Sequence, residues 1–402
     1  MSDQQTDAYS GTIFSGSADV LTRRPQEAYA KMRAAGPAIR MEGSGVVVTT
    51  REAMTEVFRN PDIYSSQLPT GHFGNTRPLI PIEIDPPDQK KFRMILDPLF
   101  SPKNLEHLAE PIERLVNELI DGFIDEPEID FAQQFSVPFP SRVFLTMFGL
   151  PVEDLPQFLR MKDGIIRPFH VLGTSLNDPR VQELRETTAA SIYDYFNGVL
   201  DQREAERKDD LLSKFLDAEV NGERLTRNEI LDICFLMLIA GLDTVSASLD
   251  CFFRYLAEHP DARAALVADP ALSPQVVEEL LRWESPVMLV SRIATEETEL
   301  AGCPIHVGDA VHPFIGSANT DESEFPDGDA IVWGRKANRH LAFGAGVHRC
   351  LGSNLARLEL RIALRVWHAR IPNYRIKPAT ELEYTVGVRS VDSFPMVLGE
   401  SL

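Results

Sequence analysis

Cysteine is scarce in this chain, with only Cys234, Cys251, Cys303 and Cys350 among 402 residues and no Cys-x-x-Cys pair. That count and spacing exclude a disulfide framework and a paired-cysteine zinc site. Positive charge is also short: Lys+Arg 40 against Asp+Glu 60 leaves a net charge of -20. Nucleic acid is therefore not an expected partner, because a phosphate backbone needs a basic face. No apolar run approaches the roughly 20 residues of a membrane span, and the closest, residues 230–240, is interrupted by Asp232. No membrane association is expected. The polar start MSDQQTDAYSG lacks the charged-then-apolar pattern of a signal segment, so the expected compartment is a reducing cytoplasm. Gly/Ser-rich linkers, internal repeats and low-complexity tracts are missing as well, which predicts one large domain over residues 1–402.

What the chain does contain is mostly helical pattern. Apolar residues at three- and four-residue spacing predict helices over 106–123, 184–208 and 353–371, with a further helix over 25–36. The valines Val46, Val47 and Val48, preceded by turn residues, predict a hairpin over 38–50. The longest helix is expected from Thr226 to about His259, since Thr226 and Glu229 stand at capping-box spacing and no proline interrupts it. At 1.5 Å per residue it would span about 50 Å. The fold class is thus mainly α with a small β region around a long central helix. Two intervals, 65–87 and 163–179, read as irregular, and loops that long inside a compact domain commonly carry function.

The run Phe343-Gly344-Ala345-Gly346-Val347-His348-Arg349-Cys350-Leu351-Gly352 places one cysteine in a glycine-bracketed loop directly before a helix. A ligating thiolate needs that setting, because backbone N–H groups at a loop-to-helix junction favour the anion and glycines let the backbone approach a flat cofactor. A lone cysteine more commonly packs in a core, but ten residues of ordered context favour ligation. Arg349 stands where a dinucleotide fingerprint needs its third glycine. Midway along the long helix, Ala240 and Gly241 are small enough for a flat ligand to lie against. Thr244 there is placed to bond back to the Ala240 carbonyl and open the helix locally, with Asp243 beside it. Glu279 and Arg282 stand three apart on one helix face, a spacing that alone means only an exposed pair worth a few tenths of a kcal/mol.

In order along the chain, these runs resemble the cytochrome P-450 family, whose haem-binding signature reads Phe-Gly-x-Gly-x-His-x-Cys-x-Gly. The resemblance implies haem b (iron protoporphyrin IX), with Cys350 as its thiolate metal ligand and Phe343, Gly344, His348 and Gly352 framing the loop. It implies Ala240 and Gly241 against the cofactor, and Arg93, Arg292 and His340 toward its propionates, with Gln89 where many members carry histidine. It makes Glu279, Arg282 and Arg335 a structural ion network, and Thr244 with Asp243 a relay that brings protons in from solvent. Gly328 and Ile331 depart from the Pro and Phe usual before that arginine.

The same resemblance implies a monooxygenase that inserts one oxygen atom from O2, as co-substrate, into a hydrophobic small molecule such as a terpenoid, steroid, fatty acid or aromatic. Substrate contacts would come from Phe73, Ile82, Phe169, Leu236, Ile239, Val287, Val290 and Val388, with His72, Arg77, Arg167 and His170 as candidate polar anchors. Electrons would come from an external iron-sulfur ferredoxin docking on the Cys350 face, where Arg339, Arg349, Arg357 and Arg361, with Lys90 and Lys91, could form a local basic patch. Two other readings are a peroxide-driven or oxygen-independent haem-thiolate enzyme, which commonly lacks the acid–alcohol pair, and a non-catalytic haem-binding sensor, which needs no proton relay.

Overall fold

The computed structural model describes residues 23, 25–175, 177–220 and 222–399, so the polar start read above lies outside the described residues. The chain folds into two compact units, one of residues up to Tyr64, Phe100–Phe139 and Thr244 onward, the other of Ser65–Leu99 and Pro140–Asp243.

In the first unit the three valines form the second strand of the expected hairpin, with Ala38–Met41 antiparallel to Gly45–Val48. Gly45–Val48 runs parallel to Ala310–Pro313, which pairs antiparallel with Arg292–Ala294. Side chains alternate across such a sheet. Val46 and Val48 enter a buried cluster with Met54, Val57, Phe58, Ile315 and Leu341, while Val47 packs with Tyr29 and Phe314. The helical part of this unit has an aromatic centre, where Trp367 lies edge-on to Phe131, Phe135 and Phe253 at 5.2, 4.9 and 5.0 Å between ring centroids. The helices expected over 25–36 and 353–371 are Pro25–Ala35 and Ser353–Arg370. The one expected over 106–123 is a 3₁₀ turn, Glu106–Leu108, followed by Ala109–Asp121. Pro111 explains that start, because proline is tolerated only in a first helical turn.

The second unit holds Asp88–Leu99, Leu155–Ile166, Pro179–Ala205 and Arg227–Gly241. Pro179–Ala205 begins five residues before its expected start, because Asp178 caps it and Pro179 is preset for a first helical position. The 163–179 interval is not the expected loop: Leu155–Ile166 enters it and Pro168–Leu172 is itself a helix, opened by Pro168 and closed by Gly173 at φ +61°. Beyond the short strand Tyr64–Ser65, residues 66–87 are irregular, as expected.

The long helix requires a correction. The Thr226–Glu229 capping box is formed, with Thr226 N–H donating to Glu229 Oε2 at 2.6 Å. The expected 50 Å helix, however, is two 15-residue helices, Arg227–Gly241 and Thr244–Glu258. The break falls at Leu242 and Asp243, where the Asp243 carboxylate is drawn to Lys162 and Arg167 of a neighbouring segment. Counted across it, residues 227–258 are long and apolar enough to cross a membrane, a stretch the sequence pattern divided at Asp232; 78% of its apolar window is buried in the protein.

Glu279 and Arg282 lie on Ser273–Glu284 and are not an exposed pair, being 1% and 0% exposed. Arg282 meets Glu279 in a fork of 2.9 and 2.7 Å, and Arg335 Nε reaches the same carboxylate at 3.1 Å. Asn338 Nδ2 and Val332 N–H also donate to it, at 3.0 and 2.9 Å. The remaining Arg282 hydrogens go to the carbonyls of Asn319, Gly328 and Ala330. Gly328, the departure noted in the sequence, takes part through its carbonyl, and a Cβ there would lie 2.4 Å from the Thr320 oxygen. Removing one partner of a buried pair leaves the other charge uncompensated, at a cost of roughly 3–5 kcal/mol. Glu279→Gln is therefore expected to lower the urea-unfolding free energy by about that amount, and an unchanged midpoint would remove the network from the fold's support.

Candidate active site

Burial separates the four cysteines. Cys234, Cys251 and Cys303 are buried and Cys350 is exposed. Burial pushes the Cys251 thiol up to about 12 and the Cys234 thiol well above its ordinary value, so both stay neutral. The loop that presents Cys350 is held by backbone bonds, from Cys350 N–H to the Phe343 carbonyl at 2.9 Å and from Gly344 N–H to the Leu341 carbonyl at 2.8 Å. Gly344 and Gly346 both take left-handed backbone, at φ +65° and +69°. Only Gly346 is also demanded by packing, since a Cβ there would lie 2.1 Å from the Phe58 carbonyl oxygen. Its lack of a side chain thus serves contact with the Arg51–Arg59 helix.

The loop is wired to the ion network through Asn319. The Asn319 carbonyl takes Arg282, its Oδ1 accepts from Leu341 N–H at 2.6 Å, and its Nδ2 donates to Ser285 Oγ at 2.8 Å. Neither Asn319 nor Phe58 was a candidate site residue from sequence, because each acts on residues distant in the chain. His340 departs from expectation. Its Nε2 lies 3.1 Å from Glu278 Oε2 and its Nδ1 accepts from Ala342 N–H at 3.2 Å, so both ring nitrogens are engaged within the protein. Glu278 also takes Arg357 at 2.6 and 2.8 Å, and its carboxyl is held down at about 2 against burial by these two partners. Arg292 is half-buried with its guanidinium 5.6 Å from the Phe58 ring centre, and His348 is half-buried on the cysteine loop.

In the second unit, Arg93 pairs with Asp97 at 2.8 Å and Gln89 is buried. On Arg227–Gly241, Ala240 is exposed whereas Leu238 and Ile239 are buried. The small size of Gly241 serves the protein itself: a Cβ there would lie 3.3 Å from the Phe144 ring. Asp243 is not open to solvent, being 1% exposed. Its Oδ1 takes Lys162 Nζ at 3.2 Å and the Arg167 guanidinium, and its Oδ2 is buried with no hydrogen-bond partner among the described residues. Thr244 is half-buried at the start of Thr244–Glu258, and its carbonyl accepts from Ser248 Oγ at 2.8 Å.

The expected polar anchors are largely consumed. Arg167 is bound to Asp243, and Arg77 forms a bidentate pair with Asp232. Burial, reinforced by the Arg185 charge, pushes the His72 imidazole down to about 4, so it is neutral beside Glu83. His170 is exposed. Among the apolar candidates, the first unit brings Val287 and Val388 together in a β-bridge, and Val287 and Val290 pack with Ala345 of the cysteine loop on one cluster. The second unit holds Phe73, Phe169 and Leu236 half-buried, Ile239 buried and Ile82 exposed. The basic patch also shrinks. Arg357 turns in to Glu278, the Arg361 Nε donates to the Arg357 carbonyl and Lys91 pairs with Glu229, while Arg339, Arg349 and Lys90 are exposed.

Comparison with known proteins agrees with this geometry. Residues 38–379 match the family model described as Cytochrome P450. A steroid C26-monooxygenase of Mycolicibacterium smegmatis is 34% identical over 353 residues, covering 87% of this chain and 86% of that protein. The mycinamicin IV hydroxylase/epoxidase of Micromonospora griseorubida is 32% identical over 76% of each chain. Among solved structures, CYP109E1 from Bacillus megaterium in complex with testosterone superposes with a TM-score of 0.83 at 29% identity, covering 94% of this chain and 100% of that one. With a mostly helical fold shared along nearly its whole length and one exposed cysteine on a braced glycine loop, the chain belongs to the cytochrome P450 family of monooxygenases.

Proposed function

We propose that this enzyme binds haem b through the Cys350 thiolate and inserts one atom of O2 into a bulky apolar molecule of steroid size, with electrons from an external ferredoxin. The observation that carries the reading is Cys350 itself, the one exposed cysteine of four, on a loop tied through Asn319 to a buried ion network. The residues present fit haem: an accessible sulfur, an exposed Ala240 on an otherwise well-buried helix, and half-buried Arg292 and His348 as propionate donors. Arg93 and Gln89 remain candidate donors, whereas His340 is better read as a brace, since both its nitrogens serve the protein. Haem-thiolate, when bound, supplies the oxygen activation and the oxidation of the substrate. That one family model runs unbroken from 38 to 379, across both compact units, supports a single haem domain.

Thr244 supplies the hydroxyl of the proton relay and Asp243 its acid. Lys162 and Arg167 hold one Asp243 oxygen, and the unpartnered Oδ2 is the atom that would take and return a proton. The acid–alcohol pair favours reductive oxygen chemistry over a peroxide-driven or sensor role. Apolar Val287, Val290 and Val388 suit a hydrophobic ligand. A steroid-sized one is supported by the steroid monooxygenase relative and the testosterone-bound structure. Arg339 and Arg349 are exposed cations close in sequence to Cys350, which suits an acidic ferredoxin in a chain that is otherwise strongly acidic.

The dithionite-reduced, carbon monoxide-treated protein is expected to show the strongly red-shifted Soret band of thiolate ligation, and Cys350→Ser to lose it; a band that survives the substitution would overturn the assignment. Thr244→Ala is expected to leave that band and the steroid-induced spin shift intact while diverting reducing equivalents to hydrogen peroxide. Asp243→Asn should lower turnover about 10²-fold with the same spectrum retained. Unchanged product-to-NADH ratios in Thr244→Ala, or unchanged turnover in Asp243→Asn, would remove that residue from the relay.

A further inference from the structure

Residues 66–87 lack regular structure but, with Ser65, form a body stitched from within. Their ends are joined at Asp85, which accepts from Ser66 N–H at 2.9 Å and from the Ser65 hydroxyl. Inside, the buried carboxylate of Glu83 accepts from Leu79 N–H at 2.7 Å and from Asn75 Nδ2 at 3.3 Å, and the same Nδ2 donates to the Arg77 carbonyl at 2.9 Å. A chain segment closed at its base and bonded to itself is a compact body, here called the flap.

The contacts between the flap and the rest of its unit include three that fix its position. Gln182 Nε2 donates to the Gly71 carbonyl at 3.1 Å, and Gly74 at φ +76° lies so close to Pro179–Ala205 that a Cβ would sit 2.5 Å from the Arg185 carbonyl. The third is the charged one. Arg77 Nε and Nη2 reach the two oxygens of Asp232 at 2.8 and 2.9 Å, and Tyr193 Oη donates to Asp232 Oδ1 at 3.0 Å. The Arg77 guanidinium also lies 5.0 Å from the Tyr193 ring centre. Asp232 is 3% exposed in the middle of Arg227–Gly241, and among the described residues Arg77 is its cationic partner. Lifting the flap would strand a buried carboxylate beside a tyrosine hydroxyl, and buried charges do not tolerate that loss.

We propose that Arg77, Asp232 and Tyr193 are positioning residues for substrate entry: a charged clamp that holds the 65–87 flap, which carries Phe73 and Ile82, down on the long helix and so sets how fast ligand enters and leaves. The proposal rests on the monooxygenase reading for the flap's place over the substrate. The clamp itself is a property of the protein.

The haem-loaded enzyme, with Arg77→Gln, Arg77→Lys and Asp232→Asn, is tested in two ways: amide hydrogen exchange, and stopped-flow binding and release of 4-phenylimidazole read from the Soret shift. Arg77 is half-exposed, so Arg77→Gln should fold. Exchange across 65–87 is expected to accelerate about tenfold in Arg77→Gln and Asp232→Asn, with none at the cysteine loop 339–352. Association and dissociation of the imidazole should both rise about tenfold, leaving the dissociation constant nearly unchanged, because a clamp gates passage without touching bound ligand. Arg77→Lys, which keeps the charge but not the fork, should fall between. Unchanged exchange in the flap, or an equal acceleration over the whole chain, would overturn the clamp. Faster flap exchange with unaltered imidazole rates would overturn its role in entry. A protein that gives no Soret shift with imidazole would refute the haem reading instead, and flap exchange would still decide whether the clamp exists.

Discussion

The first unit depends on one buried carboxylate. Glu279 accepts from Arg282, Arg335, Asn338 and Val332 N–H at once, so a charge that burial would penalise is surrounded by donors. Arg282 then spends its remaining hydrogens on three carbonyls of the 319–330 region, and one of those, Asn319, holds the start of the cysteine loop through Leu341. The position of Cys350 is therefore inherited from a helix some seventy residues earlier in the chain. Phe58 completes the support from the other side, its carbonyl against Gly346 and its ring beneath Arg292. A ligating sulfur needs this stiffness, because a thiolate on a loose loop would bind its metal without fixing the cofactor's orientation.

The second unit uses charge differently. Asp232 and Asp243 stand eleven positions apart on or beside one helix, each nearly fully buried, and each neutralised by cations from another segment. Asp232 answers to Arg77 of an irregular segment, and Asp243 to Lys162 and Arg167 at the end of another helix. Placing acids inside and their counter-ions on neighbouring segments makes the position of those segments part of the electrostatic balance. Arg77 and Arg167, which look like free loop cations in the sequence, are thus the counter-ions of buried acids.

The cysteine run, the capping box at Thr226 and the hairpin valines were legible in sequence because each is local, whereas local spacing left Glu279 and Arg282 an exposed pair because Arg335 and Asn338, which help bury them, stand far along the chain. The division of the long helix at Leu242 was only half legible. Thr244 signalled a local opening, while the continuous helical pattern and the lack of proline concealed a full break. The helix at Pro168–Leu172 was hidden for the opposite reason, since its short Pro-to-Gly span looks like loop composition.

From sequence alone followed the family and the helical class, since motif order and apolar spacing along the chain carry both, and the resemblance named Cys350 as candidate ligand and Glu279, Arg282 and Arg335 as an ion network. Tertiary structure alone decided the partners. His340 belongs to Glu278, Gly241 leaves room for Phe144, Gly346 leaves room for the Phe58 carbonyl, and Arg77 belongs to Asp232. Those pairs are separated by 62, 97, 288 and 155 positions, and no one-dimensional periodicity carries information over such distances. A buried charge or a missing Cβ states that a partner must exist; only the folded chain says which one.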